Sequence, residues 1–415
     1  MEAVKAVRVN IEPNSELATL LREYRRAVQY FLDLCLNDGV LSLKGLNTHR
    51  REVLAKCRIS GYTSVLAMRD ALAIYRAWRR RRGKKRPPIL RNAYMKLALP
   101  YNAKLEGDRL RITVERGVYI WLKLRIGKWQ SELLSSFELG EILVKEDYVV
   151  FTVKRKYQPF LAEGVLALDV NERSINGVMV KEGKVKFYEW RLDEVYRILC
   201  NTFERVRDFQ RRHPNNHALW RKVFKKWFRN RNRRVDWRLH NITKQIVGLA
   251  RRNKVAIILE NLKGLKIGVN RRVLKRNKVN SKVQPHRTKP RRILGRLNRF
   301  MFRRIQFMID YKGKWGDVPI YYVDPRGTSR VCPRCGYMGG RPEWHTFRCP
   351  QCGLEMNAHY VAGLNMIRKL EDEGLLVRAG SAPHESMTLR GGRQVTRKLP
   401  EPGEVTLISL VPLYN

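Results

Sequence analysis

The sequence predicts a multidomain α/β protein, and three observations predict it. The chain has 415 residues, enough for two or three domains with buried cores. Short apolar–polar alternations dominate residues 92–158, whereas fully apolar strands and helical segments alternate after residue 164. Four cysteines lie close together near residue 340. The predicted organisation is an N-terminal unit (1–160), an α/β unit (164–330), a cysteine ribbon (331–353), a last helix (354–371) and a poorly patterned tail (372–415).

The N-terminal unit is predicted to be a small β-barrel or sheet with an inserted helical bundle. Residues 4–12 have the pattern of a strand, and Asn14 is a residue type that commonly begins a helix. A second helical segment spans about 64–82 and is stopped by a glycine and two prolines. The short strands that follow are separated by turn residues, which is typical of antiparallel structure.

The α/β unit begins with the apolar strand VLALDV, which contains Asp169 near its end, and continues as a hairpin. After a basic helical region at 192–253, a second apolar strand ends at Glu260. Open α/β sheets commonly place their chemistry at such strand ends. Asp324, which precedes a proline, is interpreted as a turn residue. The remaining predicted elements are a helix with an apolar face (Ile293, Leu294, Leu297, Met301, Ile305), a strand at 318–324 and a helix at 357–370.

The charge predicts a polyanionic partner. Lys and Arg number 85 against 38 Asp and Glu, a formal net charge of +47, and self-repulsion on this scale opposes compaction without counter-charge. No apolar run is long enough to span a bilayer, and the N-terminal residues lack the apolar core of a signal peptide. Nucleic acid is therefore favoured over a membrane.

Three basic tracts are candidates for the nucleic-acid surface: 76–86, 211–238 and 271–304, the last with fourteen Lys and Arg and no acid. In the second tract, five aromatic residues are interpreted as the apolar face of a helix rather than as base-stacking rings: Trp220, Phe224, Trp227, Phe228 and Trp237. The candidate binding residues are Arg79, Arg80, Arg81, Lys225, Lys226, Arg229, Arg233, Arg271, Arg272, Lys275, Arg276, Arg291 and Arg292.

The clustered cysteines predict a structural Zn²⁺ site. Cys332 and Cys335 form one CxxC pair and Cys349 and Cys352 a second, with thirteen residues between the pairs. Four thiolates match the tetrahedral preference of Zn²⁺, which favours this site over two redox-active pairs. The odd total of seven cysteines argues against a disulfide framework and for a reducing compartment. His345 is interpreted as a surface residue of the ribbon loop.

Together these segments resemble the TnpB/OrfB family of transposon-encoded proteins. The matching runs are LALDVNERSINGV, VAIILENLKGL, KWGDVPIYYVDPRGTSRVCPRCG, CPQCG and EMNAHYVAGLNMI, which anchor residues 164–370. The resemblance implies an RNase H-like (RuvC) nuclease domain with an inserted four-cysteine zinc ribbon, a wedge-like N-terminal domain, and kinship with type V CRISPR effectors. It further implies a prokaryotic cytoplasmic protein near the nucleoid, with guide RNA and double-stranded target DNA as partners.

By this resemblance, Asp169 and Glu260 correspond to two catalytic carboxylates, and the third falls at His359. The family motif resembles ADxNAAxN, whereas this chain carries His359, Val361 and Gly363 at three of its positions. Two-ion hydrolysis needs hard oxygen ligands for Mg²⁺, and an imidazole cannot bridge two ions. The sequence therefore predicts impaired cleavage.

Alternatives remain open at this stage. Some RuvC-type resolvases carry a histidine among their metal ligands, and Glu355, four residues before His359, is a candidate replacement carboxylate. His359 is also interpretable as a polar helix residue that binds no metal. The hypotheses are thus an RNA-guided DNA-binding protein with weak cleavage, a fully active Mg²⁺-dependent endonuclease, and, more remotely, a zinc-ribbon protein that binds RNA alone.

Overall fold

The computed structural model describes residues 2–80, 86–262, 272–276, 283–287, 301–343, 345–372 and 406–410, the three five-residue ranges by their backbone alone. The chain forms two compact units, Met1–Lys156 and Tyr157–Asn415. Arg81, Arg271, Arg291 and Arg292 lie outside the described residues, as does most of the helix predicted around Ile293. The described part of the chain contains no helix suited to crossing a membrane.

The first unit combines an antiparallel sheet with helices. Its described elements are β1 (Glu2–Ile11), α1 (Ser15–Asn37), α2 (Leu43–Thr48), α3 (Arg50–Lys56), α4 (Gly61–Arg79), β2 (Met95–Leu97), β3 (Ala103–Glu106), β4 (Arg109–Glu115), β5 (Val118–Arg125), α5 (Lys128–Ser136), β6 (Glu138–Val144) and β7 (Tyr148–Lys156). The strands lie in the order β2-β6-β7-β1-β5-β4-β3, so the sheet is built around the first strand. Helices α1 to α4 are inserted between β1 and β2.

Local sequence accounts for these elements. Val7, Val9 and Ile11 of β1 are buried while their neighbours are exposed, as expected for a strand with one face on the core. The side chain of Asn14 accepts a hydrogen bond from the backbone N–H of Leu17 at 2.8 Å, which confirms the predicted start of α1. The first helix of the insertion therefore starts at a residue that the local sequence encodes.

The second unit contains a mixed sheet covered by helices. Its described elements are β8 (Gly164–Val170), β9 (Ser174–Lys181), β10 (Lys184–Arg191), α6 (Asp193–Arg212), α7 (His217–Arg252), β11 (Val255–Glu260), β12 (Arg272–Arg276), β13 (Val283–Arg287), α8 (Phe302–Trp315), β14 (Ile320–Val323), β15 (Thr346–Arg348), β16 (Glu355–Asn357), α9 (Ala358–Asp372) and β17 (Thr406–Leu410). The main sheet has the order β14-β11-β8-β9-β10-β17. β8, β9 and β10 are antiparallel, whereas β11 pairs in parallel with both β8 and β14.

Both faces of this sheet are buried, which explains the fully apolar strands. Leu166 and Leu168 of β8 belong to a core shared with α6, α7 and α8. Val165 and Ala167 point to the opposite face and share a second core with α9. The face under α9 is also the face onto which Asp169 projects, because side chains alternate along a strand.

The segment 372–415 carries an element for which the sequence gives no pattern. The backbone of β17 pairs in parallel with β10 over five residue pairs, from Lys186–Thr406 to Trp190–Leu410. The poorly patterned tail therefore contributes Thr406–Leu410 as an edge strand at the periphery of the main sheet.

Candidate functional site

The four cysteines of the ribbon gather into one cluster. The Sγ atoms of Cys332, Cys335, Cys349 and Cys352 all lie within 4.8 Å of one another. Sγ–Sγ separations of 3.5 Å join Cys332 to Cys352 and Cys335 to Cys349, so each contact links the two CxxC pairs. This arrangement suits one tetrahedral ion rather than two independent disulfides.

The two CxxC turns have the same backbone geometry. Gly336 donates its N–H to the carbonyl of Cys332, and Gly353 donates to that of Cys349. Both glycines have a positive φ, 77° and 69°, a conformation that glycine adopts without steric cost. Backbone N–H groups near Cys349, that of Cys352 foremost, lower the pKa of its thiol to about 6. These N–H groups therefore favour the thiolate form that a metal ion binds.

Asp169 and Glu260 lie side by side on the sheet. Strands β8 and β11 are parallel neighbours, and their last register pair is Leu168 with Leu259. The next position on each strand carries the carboxylate, and adjacent residues in register project to the same face. The structure therefore brings together the two acids that the sequence analysis singles out.

Glu260 is held in an environment that disfavours its charge. Burial first, and then the nearby Asp169 carboxylate, raise the pKa of Glu260 to about 7. Thr328 donates to its Oε1 at 2.9 Å, which counteracts the rise, and Gln306 donates to its backbone oxygen at 2.7 Å. Two carboxylates that lie close together without a cation between them are expected to raise the pKa of the more buried acid towards neutrality.

His359 completes the cluster by touching Asp169. The two residues are 8% and 9% exposed, and the Nδ1 of His359 lies 2.8 Å from the Oδ2 of Asp169. The same oxygen accepts a hydrogen bond from Asn171 at 2.8 Å. The backbone N–H of His359 donates to Asn357, which fixes the first turn of α9. The third motif position thus faces Asp169, although its side chain is a ring.

The other two departures from the family motif have packing partners. Val361 is fully buried in a small core with Cys332, Phe347 and Cys349, so it joins α9 to the ribbon. A Cβ on Gly363 would lie 2.4 Å from Cγ2 of Val178, closer than real side chains approach. Helix α9 therefore sits against β9 at a distance that only glycine permits.

Several residues missed by sequence reasoning support the site. The amide of Asn365 donates to the backbone oxygens of both Thr328 and Val331 at 2.7 Å, which ties α9 to the loop before the ribbon. Thr328 in turn holds Glu260. Asn171 carried a usable signal, because it lies two residues after Asp169 in the strand-end turn.

Glu355 does not replace the missing carboxylate. It lies in β16 rather than on a helical face with His359, and it forms an exposed ion pair with Arg348 at 2.8 Å. The proposal that it could enter the site is therefore wrong. Asp324 accepts from the N–H of Arg326, as expected for a turn residue. His345 is exposed, as predicted, but its Nδ1 lies 3.2 Å from Nε2 of His359.

The basic candidates whose side chains are described lie on the protein surface. Arg79 and Arg80 end α4, and Lys225, Lys226, Arg229 and Arg233 are exposed along α7. Arg272, Lys275 and Arg276 belong to β12, whose backbone alone is described. The second tract thus presents cations to solvent along several turns of one helix.

Four of the five aromatic residues in this tract pack together, as predicted. Trp220, Phe224, Trp227 and Phe228 form a chain of ring contacts, and Phe209 of α6 joins it with centroids 5.4 Å from Trp227. Trp237 differs, because it is 53% exposed. It lines a groove of about 710 Å³ together with Arg191, Lys244 and Arg252.

Comparison with known proteins agrees with this arrangement. The model of the Cas12f1-like TNB domain matches residues 302–366, which include α8, the ribbon and the start of α9. A TnpB-like protein of Methanocaldococcus jannaschii is 28% identical over 280 residues, covering 65% of this chain and 94% of that protein. The chain is thus similar to TnpB-like proteins.

Two further matches relate this chain to type V effectors. The CRISPR-associated endodeoxyribonuclease Cas12f2 of a Micrarchaeota archaeon is 31% identical over 144 residues, 32% of this chain and 24% of that protein. The Cas12f1 chain in a complex with sgRNA and target DNA superposes with a TM-score of 0.54 at 13% identity, covering 85% of this chain and 82% of that one. At this identity the structural match establishes a shared fold.

Proposed function

We propose that this chain is a TnpB-type, transposon-associated RNA-guided DNA-binding protein whose RuvC-like nuclease site cleaves weakly or not at all. One observation carries the proposal: His359, at the third site position, is hydrogen-bonded to Asp169 instead of supplying a carboxylate. Weak cleavage follows because the site has lost one of the negative charges that hold divalent ions.

The sheet supports an RNase H-like scaffold for the second unit. Numbered along the chain, its first five strands lie in the spatial order 3-2-1-4-5, namely β10-β9-β8-β11-β14. The two acids lie on the central strands of this order, β8 and β11. The N-terminal sheet with its inserted helices would then be the wedge-like recognition unit.

The residues present fit one hard cation better than two. Asp169 and Glu260 together offer carboxylate oxygens on one face, which suits a single Mg²⁺. Oδ2 of Asp169 already accepts hydrogen bonds from His359 and Asn171. If the Asp169 carboxylate were to bridge two metal ions, these hydrogen bonds would be lost. A bound Mg²⁺ would supply activation of water or of a phosphate oxygen. The four thiols of the ribbon fit Zn²⁺, which would stabilise its fold.

Guide RNA and target DNA are the proposed partners. The net charge of +47 favours binding of a long polyanion. The exposed cations of α7 provide a surface on which such a polyanion would bind. A heteroduplex would be recognised through its backbone and A-form shape rather than through bases. The structurally similar Cas12f1 is seen with sgRNA and target DNA, which supports the same class of partners here.

A cleavage comparison tests the proposal. The full-length protein, reconstituted with its co-purified RNA, is incubated with matched target DNA and Mg²⁺ beside three variants: Asp169→Ala, His359→Asp and the two changes combined. We expect binding by all four proteins and cutting by His359→Asp alone. Cutting by the wild-type protein that Asp169→Ala abolishes would refute weak cleavage and establish the active endonuclease. That outcome has support of its own, since Asp169 and Glu260 remain adjacent.

A further inference from the structure

The cysteine ribbon reaches the carboxylate site through one side chain. His345, in the ribbon loop, places its Nδ1 3.2 Å from Nε2 of His359, with the two rings 5.3 Å apart at 61°. Its backbone oxygen also accepts a hydrogen bond from Ala358 at 2.8 Å. His345 is thus attached to the start of α9 at two points, one through its backbone and one through its ring.

With Asp169 ionised and His359 neutral, the hydrogen bonds that link His345, His359 and Asp169 fix the direction of each proton. An ionised carboxylate can only accept, so Nδ1 of His359 must donate to Oδ2 of Asp169. A neutral imidazole carries one proton, so Nε2 of His359 is an acceptor. Nδ1 of His345 must therefore donate to it, which leaves Nε2 of His345 as an exposed acceptor.

We propose that His345 is a positioning residue for the carboxylate site. By donating to His359, it holds that ring in the orientation that points Nδ1 at Asp169. Both nitrogens of His359 are then engaged, so this residue orients Asp169 and does not bind a metal ion itself. Groups that orient a metal-ligating side chain in this way are worth about 10–100-fold in metal affinity.

The position of His345 depends on the folded ribbon. It lies one residue before β15, whose Phe347 is buried with Cys349 and with Ala358 of α9. The ion proposed for the four thiols would fix the Cys349 end of this short segment. The ribbon therefore orients Asp169 through His345 and His359, in addition to stabilising its own fold.

A spectroscopic test addresses the proton positions directly. Full-length, zinc-loaded protein with ¹⁵N-labelled histidine is studied at about pH 8, where an ordinary imidazole is neutral. We expect His345 to be the Nδ1–H tautomer, with signals assigned by their loss in His345→Phe. In His359→Ala the acceptor is gone, and His345 should shift towards the Nε2–H form that free imidazole prefers. An Nε2–H tautomer of His345 in the wild-type protein would overturn the proposal.

A binding test addresses the consequence for the site and rests on the proposed function. Mn²⁺ affinity is measured by electron paramagnetic resonance for the wild type and three variants, with zinc content verified for each. His345→Phe removes the donor and should weaken Mn²⁺ binding about tenfold. His345→Asn keeps an N–H at the place of Nδ1 and should restore affinity to within about twofold. Glu343→Gln, an exposed change in the same loop, is the matched control and should have no effect.

The two measurements separate failure of the inference from failure of the proposed function. Equal Mn²⁺ affinity in His345→Phe and the wild type, with zinc retained, overturns the positioning role. No Mn²⁺ binding by the wild type contradicts the proposed cation site, and the tautomer of His345 then decides the inference alone.

Discussion

Replacement of Gly363 by alanine tests how closely α9 packs on the sheet that carries the acids. In a free helix this change stabilises by about 1 kcal/mol, because glycine has the greater backbone entropy to lose. Here the new Cβ would lie 2.4 Å from Cγ2 of Val178 and 3.0 Å from its Cβ. Val178 is fully buried in the core beneath α9, so it cannot turn away.

The expected result is therefore destabilisation. Overpacking costs about 1–3 kcal/mol, and a contact this short belongs near the upper end of that range. After the favourable helix propensity of about 1 kcal/mol, the free energy of unfolding should fall by about 2 kcal/mol. Urea unfolding of the zinc-loaded protein, followed by circular dichroism, measures the change.

Gly248 in α7 provides the matched control. A Cβ there would meet Nη1 of Arg252 at 3.4 Å, the far end of a flexible side chain, so Gly248→Ala should stabilise by up to about 1 kcal/mol. Adding Val178→Ala to Gly363→Ala should relieve the clash, with a coupling energy of about 1 kcal/mol or more. If Gly363→Ala stabilises as Gly248→Ala does, the close approach of α9 to β9 is refuted.

Three further outcomes are expected. The pKa of Glu260 is raised to about 7 from its ordinary 4.5. Between these two pH values the metal-free folded state holds a proton that the unfolded state has lost. The free energy of unfolding should therefore fall by about 3 kcal/mol as the pH rises from about 4.5 to about 7. Urea unfolding across pH checks this, and Glu260→Gln should flatten the dependence. Chelation should release one Zn²⁺ per chain and unfold the ribbon, whereas Cys349→Ser should prevent zinc retention. A zinc-sensitive dye measures the zinc content of the wild type and of the variant. Zinc retention by Cys349→Ser would contradict a four-thiolate site. RNA affinity should fall at least about 10³-fold between about 50 and 200 mM salt, and a constant affinity would argue against phosphate contacts along α7.

Elements encoded by local pattern were predictable from the sequence. The apolar run of β8, the cap at Asn14 and the two CxxC turns each depend on residues within a few positions of one another. Two apolar strands separated by helices predicted an α/β sheet with carboxylates at its strand ends. The structure pairs β8 with β11 in parallel, which places Asp169 beside Glu260. These features need no knowledge of distant contacts beyond the sheet itself.

Features that depend on long-range contacts were not predictable. Asp169 and His359 are 190 positions apart, and their hydrogen bond exists because α9 packs under β8. His345 looked like an ordinary surface residue, since nothing local marks the ring of His359 as its acceptor. Glu355 was misplaced because helical spacing was assumed across a boundary where the chain is a strand. β17 adds an edge strand from a segment without periodicity.

The histidine at position 359 changes what the site needs in order to be stable. Three carboxylates within one buried cluster would repel one another unless cations held them together. With His359 in place, Asp169 gains a hydrogen-bond donor instead of a third carboxylate as its neighbour. The remaining repulsion is between Asp169 and Glu260, and because the pKa of Glu260 is raised to about 7, protonation of Glu260 can relieve it. The acids can thus remain buried without metal. A site that no longer requires ions to fold has also lost part of its means of holding them, so stability without cations and the proposed weak cleavage would have the same physical cause.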